Sequence, residues 1–189
     1  GVASVTNDAP AVFPLGATTV TWTVTDNAGL TATATQTVTV TDNEDPTITA
    51  PADVSVNTDA SSCDATGVAL GSPTTADNCG VASVTNDAPA VFPLGSTTVT
   101  WTVTDDAGLT ATATQTVTVT DNEAPTITAP ADVAVDADAG LCTASGVTLG
   151  SPTTSDNCGV ASVTNDAPAT FPLGSTTVTW TVTDDAGLT

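Results

Sequence analysis

Threonine and an apolar residue alternate along much of the chain. In Thr18-Thr19-Val20-Thr21-Trp22-Thr23-Val24-Thr25 the valines and the tryptophan share one face and the threonines the other, and residues 97–104 and 176–183 repeat the pattern. A period of two fits a half-buried β-strand, because successive side chains leave opposite faces. Asp26-Asn27-Ala28-Gly29 then makes a turn, and residues 31–41 form a second alternating run, so the pair reads as a β-hairpin. Pro46-Thr47-Ile48-Thr49-Ala50-Pro51 is bounded by prolines and suits an edge strand. Asp53-Val54-Ser55-Val56 continues it after a kink. Gly67-Val68-Ala69-Leu70 and Gly80-Val81-Ala82-Ser83-Val84 supply two more strands. No stretch carries apolar residues at helical spacing. Trp22, Trp101 and Trp180 are expected in the core, flanked by Val20/Val24, Val99/Val103 and Val178/Val182.

The pattern repeats as a whole. Gly1-Val2-Ala3-Ser4-Val5-Thr6-Asn7-Asp8 recurs at Gly80 and at Gly159, a period of 79 residues. Residues 1–31 differ from residues 80–110 only at Ala17/Ser96 and Asn27/Asp106. A period of this length signals an array of similar units. The units divide as 1–41, the C-terminal part of a repeat, 42–120, a complete one, and 121–189, a repeat without its last strand. Arrays normally have atypical ends, and neither end here is atypical, so a window on a longer repetitive protein is expected. Six or seven short strands per unit describe an all-β fold, tandem immunoglobulin-like β-sandwiches arranged end to end.

Composition narrows the chemistry. The chain has 21 Asp and Glu and no Lys, Arg or His, giving a formal net charge of -21. No salt bridge between side chains is possible, and nothing neutralises phosphates, which excludes nucleic acid as a partner. Imidazole bases, Schiff-base amines and guanidinium clamps are all missing, which removes most catalytic schemes. A carboxylate pair alone would permit glycoside hydrolysis, but no aromatic platform for a sugar accompanies one. No run of 18 apolar residues crosses a membrane in this window.

Cys63 and Cys79 lie in one unit, Cys142 and Cys158 in the next. The 16-residue spacing is not that of a zinc site, and no His completes one. An even count per unit in an extracellular setting points to Cys63–Cys79 and Cys142–Cys158 disulfides. Free buried thiols, or a bridge between neighbouring repeats, are the alternatives. The second gains weight if residues 65–70 form a strand, which would start the two cysteines at opposite ends of it.

Four motifs occur in a fixed order: Pro125-Thr126-Ile127-Thr128-Ala129-Pro130-Ala131-Asp132-Val133, Thr75-Ala76-Asp77-Asn78-Cys79-Gly80, Phe92-Pro93-Leu94-Gly95-Ser96-Thr97-Thr98-Val99, and Thr104-Asp105-Asp106-Ala107-Gly108. Together they resemble the hyalin repeat (HYR) module, an immunoglobulin-like domain of extracellular proteins. The family commonly carries further cysteines where this chain has Ala50, Ala129, Ala34 and Ala113. The resemblance thus implies one bridge per domain here. It also implies adhesion or extracellular architecture, and no catalysis.

Carboxylates gather in three places. The linker holds Asp42-Asn43-Glu44-Asp45, repeated as Asp121-Asn122-Glu123. The loop at the second cysteine of each pair holds Asp77-Asn78, repeated as Asp156-Asn157. The hairpin turn holds Asp105-Asp106, repeated as Asp184-Asp185. Strand directions in a sandwich bring all three to the end where the preceding repeat joins. Hard oxygen donors in that number describe a Ca²⁺ site, and the linker is similar to the calcium-binding linkers of cadherins, though shorter. Solvated turn residues are the competing reading. Asp53, Asp59, Asp64 and Asp87 read as surface charges.

These residues lead to a structural, non-catalytic protein at the cell surface or outside the cell: a fibre, stalk or adhesin rod stiffened by calcium. Its partners are copies of itself, in tandem and laterally. The rivals are an adhesive module that recognises a receptor or glycan, and a spacer of a larger secreted enzyme. Outward threonines offer sites for O-linked glycans, whereas no Asn-x-Ser/Thr acceptor is present.

Overall fold

The computed structural model describes all 189 residues, and every regular element in it is a β-strand. The partial repeat holds β1 (Val2–Asn7), β2 (Gly16–Asp26) and β3 (Thr31–Val40). The complete repeat holds β4 (Thr47–Thr49), β5 (Val54–Asn57), β6 (Asp64–Thr66), β7 (Thr74–Ala76), β8 (Val81–Asn86), β9 (Val91–Pro93), β10 (Gly95–Asp105) and β11 (Thr110–Thr120). The last repeat holds β12 (Thr126–Thr128), β13 (Thr143–Ser145), β14 (Thr153–Ser155), β15 (Val160–Asn165), β16 (Thr170–Pro172) and β17 (Trp180–Asp184). The chain divides into two compact units, residues 1–50, 73–86 and 101–113, and residues 51–72, 87–100 and 114–189.

The complete repeat is an immunoglobulin-like β-sandwich. One sheet has the order β5-β11-β10-β8, and the pairs β4-β7 and β6-β9 complete the fold. Its alternation works as the threonine pattern requires. Val99, Trp101 and Val103 on β10, and Val117 and Val119 on β11, are buried, while the intervening threonines are not. Each such side chain contributes about 1.5–3 kcal/mol by burial. Ala65 and Phe92, paired across β6 and β9, are buried as well. Gln115 occupies an apolar position of β11 and is buried, its Nε2 donating to Ala52 O at 2.7 Å and Leu70 O at 2.9 Å. These bonds satisfy two carbonyls that no strand partner reaches, which offsets the cost of burying an amide.

Several expectations need correction. Residues 67–70 are not a strand: Gly67 takes φ +62° and turns the chain out after β6. The short strands β7 and β9 were not anticipated, since neither has room for alternation. Trp101 is buried, but Trp22 is 40% exposed and Trp180 half-buried. The sheet β1-β2-β3 has no second sheet over it within its own repeat. In the last repeat the alternating run 176–183 is a strand only from Trp180.

The bridges expected within repeats do not form. Cys63 is bonded to Cys158, 95 residues away, and Cys79 and Cys142 are exposed free cysteines. Strand register supplies the reason. The pairing Thr47↔Ala76 puts Cys79, just after β7, beside the linker that enters its repeat. The pairing Thr120↔Asn57, extended by Thr58 N donating to Thr120 O, puts the Cys63 loop beside the linker that leaves it. Cys158 follows β14 and lies by that same linker, because Thr126 pairs with Ser155. The alternative of a bridge between neighbouring repeats is the one the fold adopts.

Candidate metal centre

Each of the two repeats gathers three carboxylates. Asp42, Asp77 and Asp105 bring one oxygen apiece within 4.8 Å of one another, and Asp121, Asp156 and Asp184 do the same. The first of each set comes from the linker, the second from the loop after β7 or β14, and the third from the end of β10 or β17. This is the convergence that strand direction demands.

Each carboxylate uses one oxygen to hold its own loop and leaves the other free. Asp42 Oδ1 accepts from Glu44 N, Asp77 Oδ2 from Cys79 N and Gly80 N, and Asp105 Oδ1 from Ala107 N and Leu109 N. The remaining oxygens, Asp42 Oδ2, Asp77 Oδ1 and Asp105 Oδ2, are buried without a hydrogen-bond partner. The second set is alike. Asp121 Oδ1 accepts from Glu123 N, Asp156 Oδ2 from Cys158 N and Gly159 N, and Asp184 Oδ1 from Leu188 N. Asp121 Oδ2, Asp156 Oδ1 and Asp184 Oδ2 are again buried and unpartnered, and Asn157 Oδ1 joins them. Asp105 and Asp184 are 2% and 1% exposed.

Buried carboxylate oxygens without donors are costly, and three together repel. No side chain of this protein carries a positive charge. The donor set is hard oxygen alone, and oxygens bound to one Ca²⁺ at about 2.4 Å lie at most about 5 Å apart. The residues therefore fit a calcium ion, with Asp42, Asp77 and Asp105, or Asp121, Asp156, Asp184 and Asn157, as its protein ligands.

The other candidates are placed elsewhere. Asn43, Glu44, Asp45, Asn78 and Asn122 are exposed, and Glu44 and Asp45 stand outside the carboxylate groups. Asp106 and Asp185 are exposed and lie against Gly80 and Gly159, where a Cβ would meet their Oδ2 at 2.7 Å. Glu123 reaches into the preceding repeat, its Oε2 accepting from Ser61 N at 2.9 Å. Asn157 is a tie as well as a donor set: its Nδ2 donates to Ser62 O at 2.8 Å and to Asp121 Oδ1 at 3.2 Å. Partial desolvation, the hydrogen bond to Asp42 and the charges of Asp42, Asp77 and Asp105 push the thiol of the exposed Cys79 above its ordinary range.

Asp53, Asp59 and Asp87, read as surface charges, are instead stitches, and Asp138, the counterpart of Asp59, is another. Asp59 Oδ2 accepts from Thr66 N and Oγ1, and Asp138 Oδ2 from Ser145 N and Oγ. Asp87 Oδ1 accepts from Thr100 N, and Asp53 Oδ1 from Thr116 N. A readable signal existed for the first pair, because a hydroxyl residue stands seven positions after the acid in both repeats.

Comparison with known proteins agrees with this architecture. Hyalin of Strongylocentrotus purpuratus is 35% identical over 193 residues, covering 96% of this chain and 16% of hyalin, so the chain spans a small part of that relative. Residues 41–119 and 120–189 each match the HYR domain, and the chain belongs to the HYR domain family.

Proposed function

We propose that this chain is a segment of a non-catalytic, extracellular adhesion-type rod or fibre whose repeat junctions are stiffened by Ca²⁺. One observation carries the reading: two equivalent sets of acidic side chains, each with buried oxygens left without donors, in a protein with no cationic side chain. The linker residue Asp121 belongs to one set, and Asn157 joins that set to Ser62 of the preceding repeat. A cation held there fixes the linker to both repeats, which is what a rod needs. The inter-repeat disulfide and the similarity to hyalin support the same reading.

Calorimetric titration of the chain with Ca²⁺ tests it. Two sites are expected, lost when Asp105 and Asp184 are both changed to Asn. Small-angle scattering should show a longer, stiffer particle with calcium than with chelator. No heat of binding and identical scattering in the two conditions would remove calcium from the proposal.

A further inference from the structure

The disulfide and the second carboxylate set occupy one junction. Asp156, Asn157, Cys158 and Gly159 are consecutive: the first supplies an oxygen to the set, and the third carries the sulfur bonded to Cys63. Cys158 N and Gly159 N both donate to Asp156 Oδ2 at 2.8 Å, so the bonded residue also fixes the carboxylate. On the other side Ser61, Ser62 and Cys63 are consecutive in the loop between β5 and β6 of the preceding repeat. Thr58 N donates to Thr120 O, and Ser61 N to Glu123 Oε2, which seats this loop along the linker that carries Asp121.

Asn157 stands between the two loops. Its Nδ2 donates to Ser62 O at 2.8 Å and to Asp121 Oδ1 at 3.2 Å, and lies 3.4 Å from Thr58 Oγ1 and 3.5 Å from Cys158 Sγ. A carbonyl and a carboxylate only accept, so they fix which end of the amide faces them. Asn157 Oδ1 is the end left over. With Asp121 Oδ2, Asp156 Oδ1 and Asp184 Oδ2 it is buried and without a donor, and Asp184 is 1% exposed. Ser62 precedes Cys63, and Asn157 precedes Cys158. The disulfide thus joins the residues next to the hydrogen bond that orients the amide, and the two loops cannot part while it is intact.

We infer that this bond sets the affinity of the junction site: with Cys63 and Cys158 joined, Asn157 Oδ1 is held as a fourth oxygen for Ca²⁺, and reduction releases it. The inference rests on the calcium reading of the same residues. Reduction by a dithiol adds two electrons and two protons, breaks the Sγ–Sγ bond and leaves two thiols, the dithiol closing to a cyclic disulfide. The loop of Cys63 is then tied to the ligand loop by the hydrogen bonds of Asn157, for which water competes. The amide can turn, and its oxygen loses its fixed place. A site whose ligands are already ordered binds more tightly, because binding need not order them. Linkage is reciprocal, so a cation that prefers the bridged form protects the bridge by the same factor. A tenfold preference corresponds to about 30 mV in the midpoint of a two-electron couple.

A redox titration tests this, on the 189-residue chain with the free cysteines Cys79 and Cys142 changed to Ser so that the one bridge remains. The protein is equilibrated in reduced and oxidised dithiothreitol, with calcium or with chelator, and the bridged fraction is read by alkylation and mass spectrometry. With Asp105→Asn, which leaves only the junction site, the midpoint should move about 30 mV more negative in calcium. Calorimetry should find the reduced form of that variant binding calcium about tenfold more weakly. With Asp184→Asn, which leaves only the set of Asp42, Asp77 and Asp105, the midpoint should not respond to calcium. Asn157→Ala should remove most of the response while the junction still binds the ion. An equal shift in Asp184→Asn and Asp105→Asn would mean that calcium acts by stabilising the whole fold, and would overturn the inference. Equal affinity in the bridged and reduced forms would overturn it too, leaving the calcium reading standing. No heat of binding in the bridged protein would overturn both.

Discussion

Changing Asp105 and Asp184 together to Asn should stabilise the metal-free protein and remove its response to calcium. Each acid sits in a cluster whose oxygens lie within 4.8 Å of one another. At an effective dielectric of about 20 such a pair repels by roughly 3 kcal/mol, and neutralising one member removes two of the three repulsions. Asp42, Asp77, Asp121 and Asp156 are half-buried, so solvent screens much of this. A net gain of about 2 kcal/mol per cluster is a fair expectation after screening. Asn keeps the Oδ1 that holds the turn amides, and its Nδ2 becomes a donor for the neighbouring orphaned oxygens. In chelator the double variant should therefore melt higher, by about 4–8 °C per kcal/mol for a domain of this size. With calcium at ten to a hundred times its Kd, the native protein should gain about 1.4–2.7 kcal/mol per site and the variant almost nothing. Calorimetric melting in chelator and in calcium reads both effects. A variant that melts lower in chelator, or that gains as much from calcium as the native protein, refutes the reasoning. Asp106→Asn, outside the cluster, should leave the calcium response intact.

Cys63→Ser should lower stability by about 4–5 kcal/mol, because the bridge it removes closes a loop of the order of a hundred residues; reversible melting with and without reductant checks this. Trp101→Ala should cost about 3–5 kcal/mol, whereas Trp22→Ala, at an exposed site, should cost well under half as much in the same denaturant titration. Ser61 holds φ +59°, and its counterpart Gly140 holds φ +80°. Ser61→Gly should thus raise stability by about 0.5–1 kcal/mol, the strain relieved less the entropy added to the unfolded chain; an unchanged or lowered melting temperature would count against that strain.

The long strands and the convergence of the carboxylates were legible because both follow from local rules. Alternation fixes which face of β10 is buried, and strand polarity alone brings Asp42, Asp77 and Asp105 to one end. The cysteine pairing was not legible, because spacing along the chain says nothing about which linker a loop lies beside. That depends on registers such as Thr47↔Ala76 and Thr120↔Asn57, set by short strands with no periodic signal. Glu123 was misplaced for a related reason: composition groups it with the linker acids, but its reach to Ser61 is decided by the docked loop of the preceding repeat.

The bond between Cys63 and Cys158 also changes how the molecule bears tension. A pull applied to the two ends passes through the sulfur atoms and bypasses the 94 residues between them. Even if those residues unfold, they cannot lengthen the chain. Without the bond they would pay out roughly 310–340 Å at full extension. Under load the segment should therefore act as a short, stiff tether whose reach depends on its redox state, and a reductant should release that hidden length in a single-molecule extension trace.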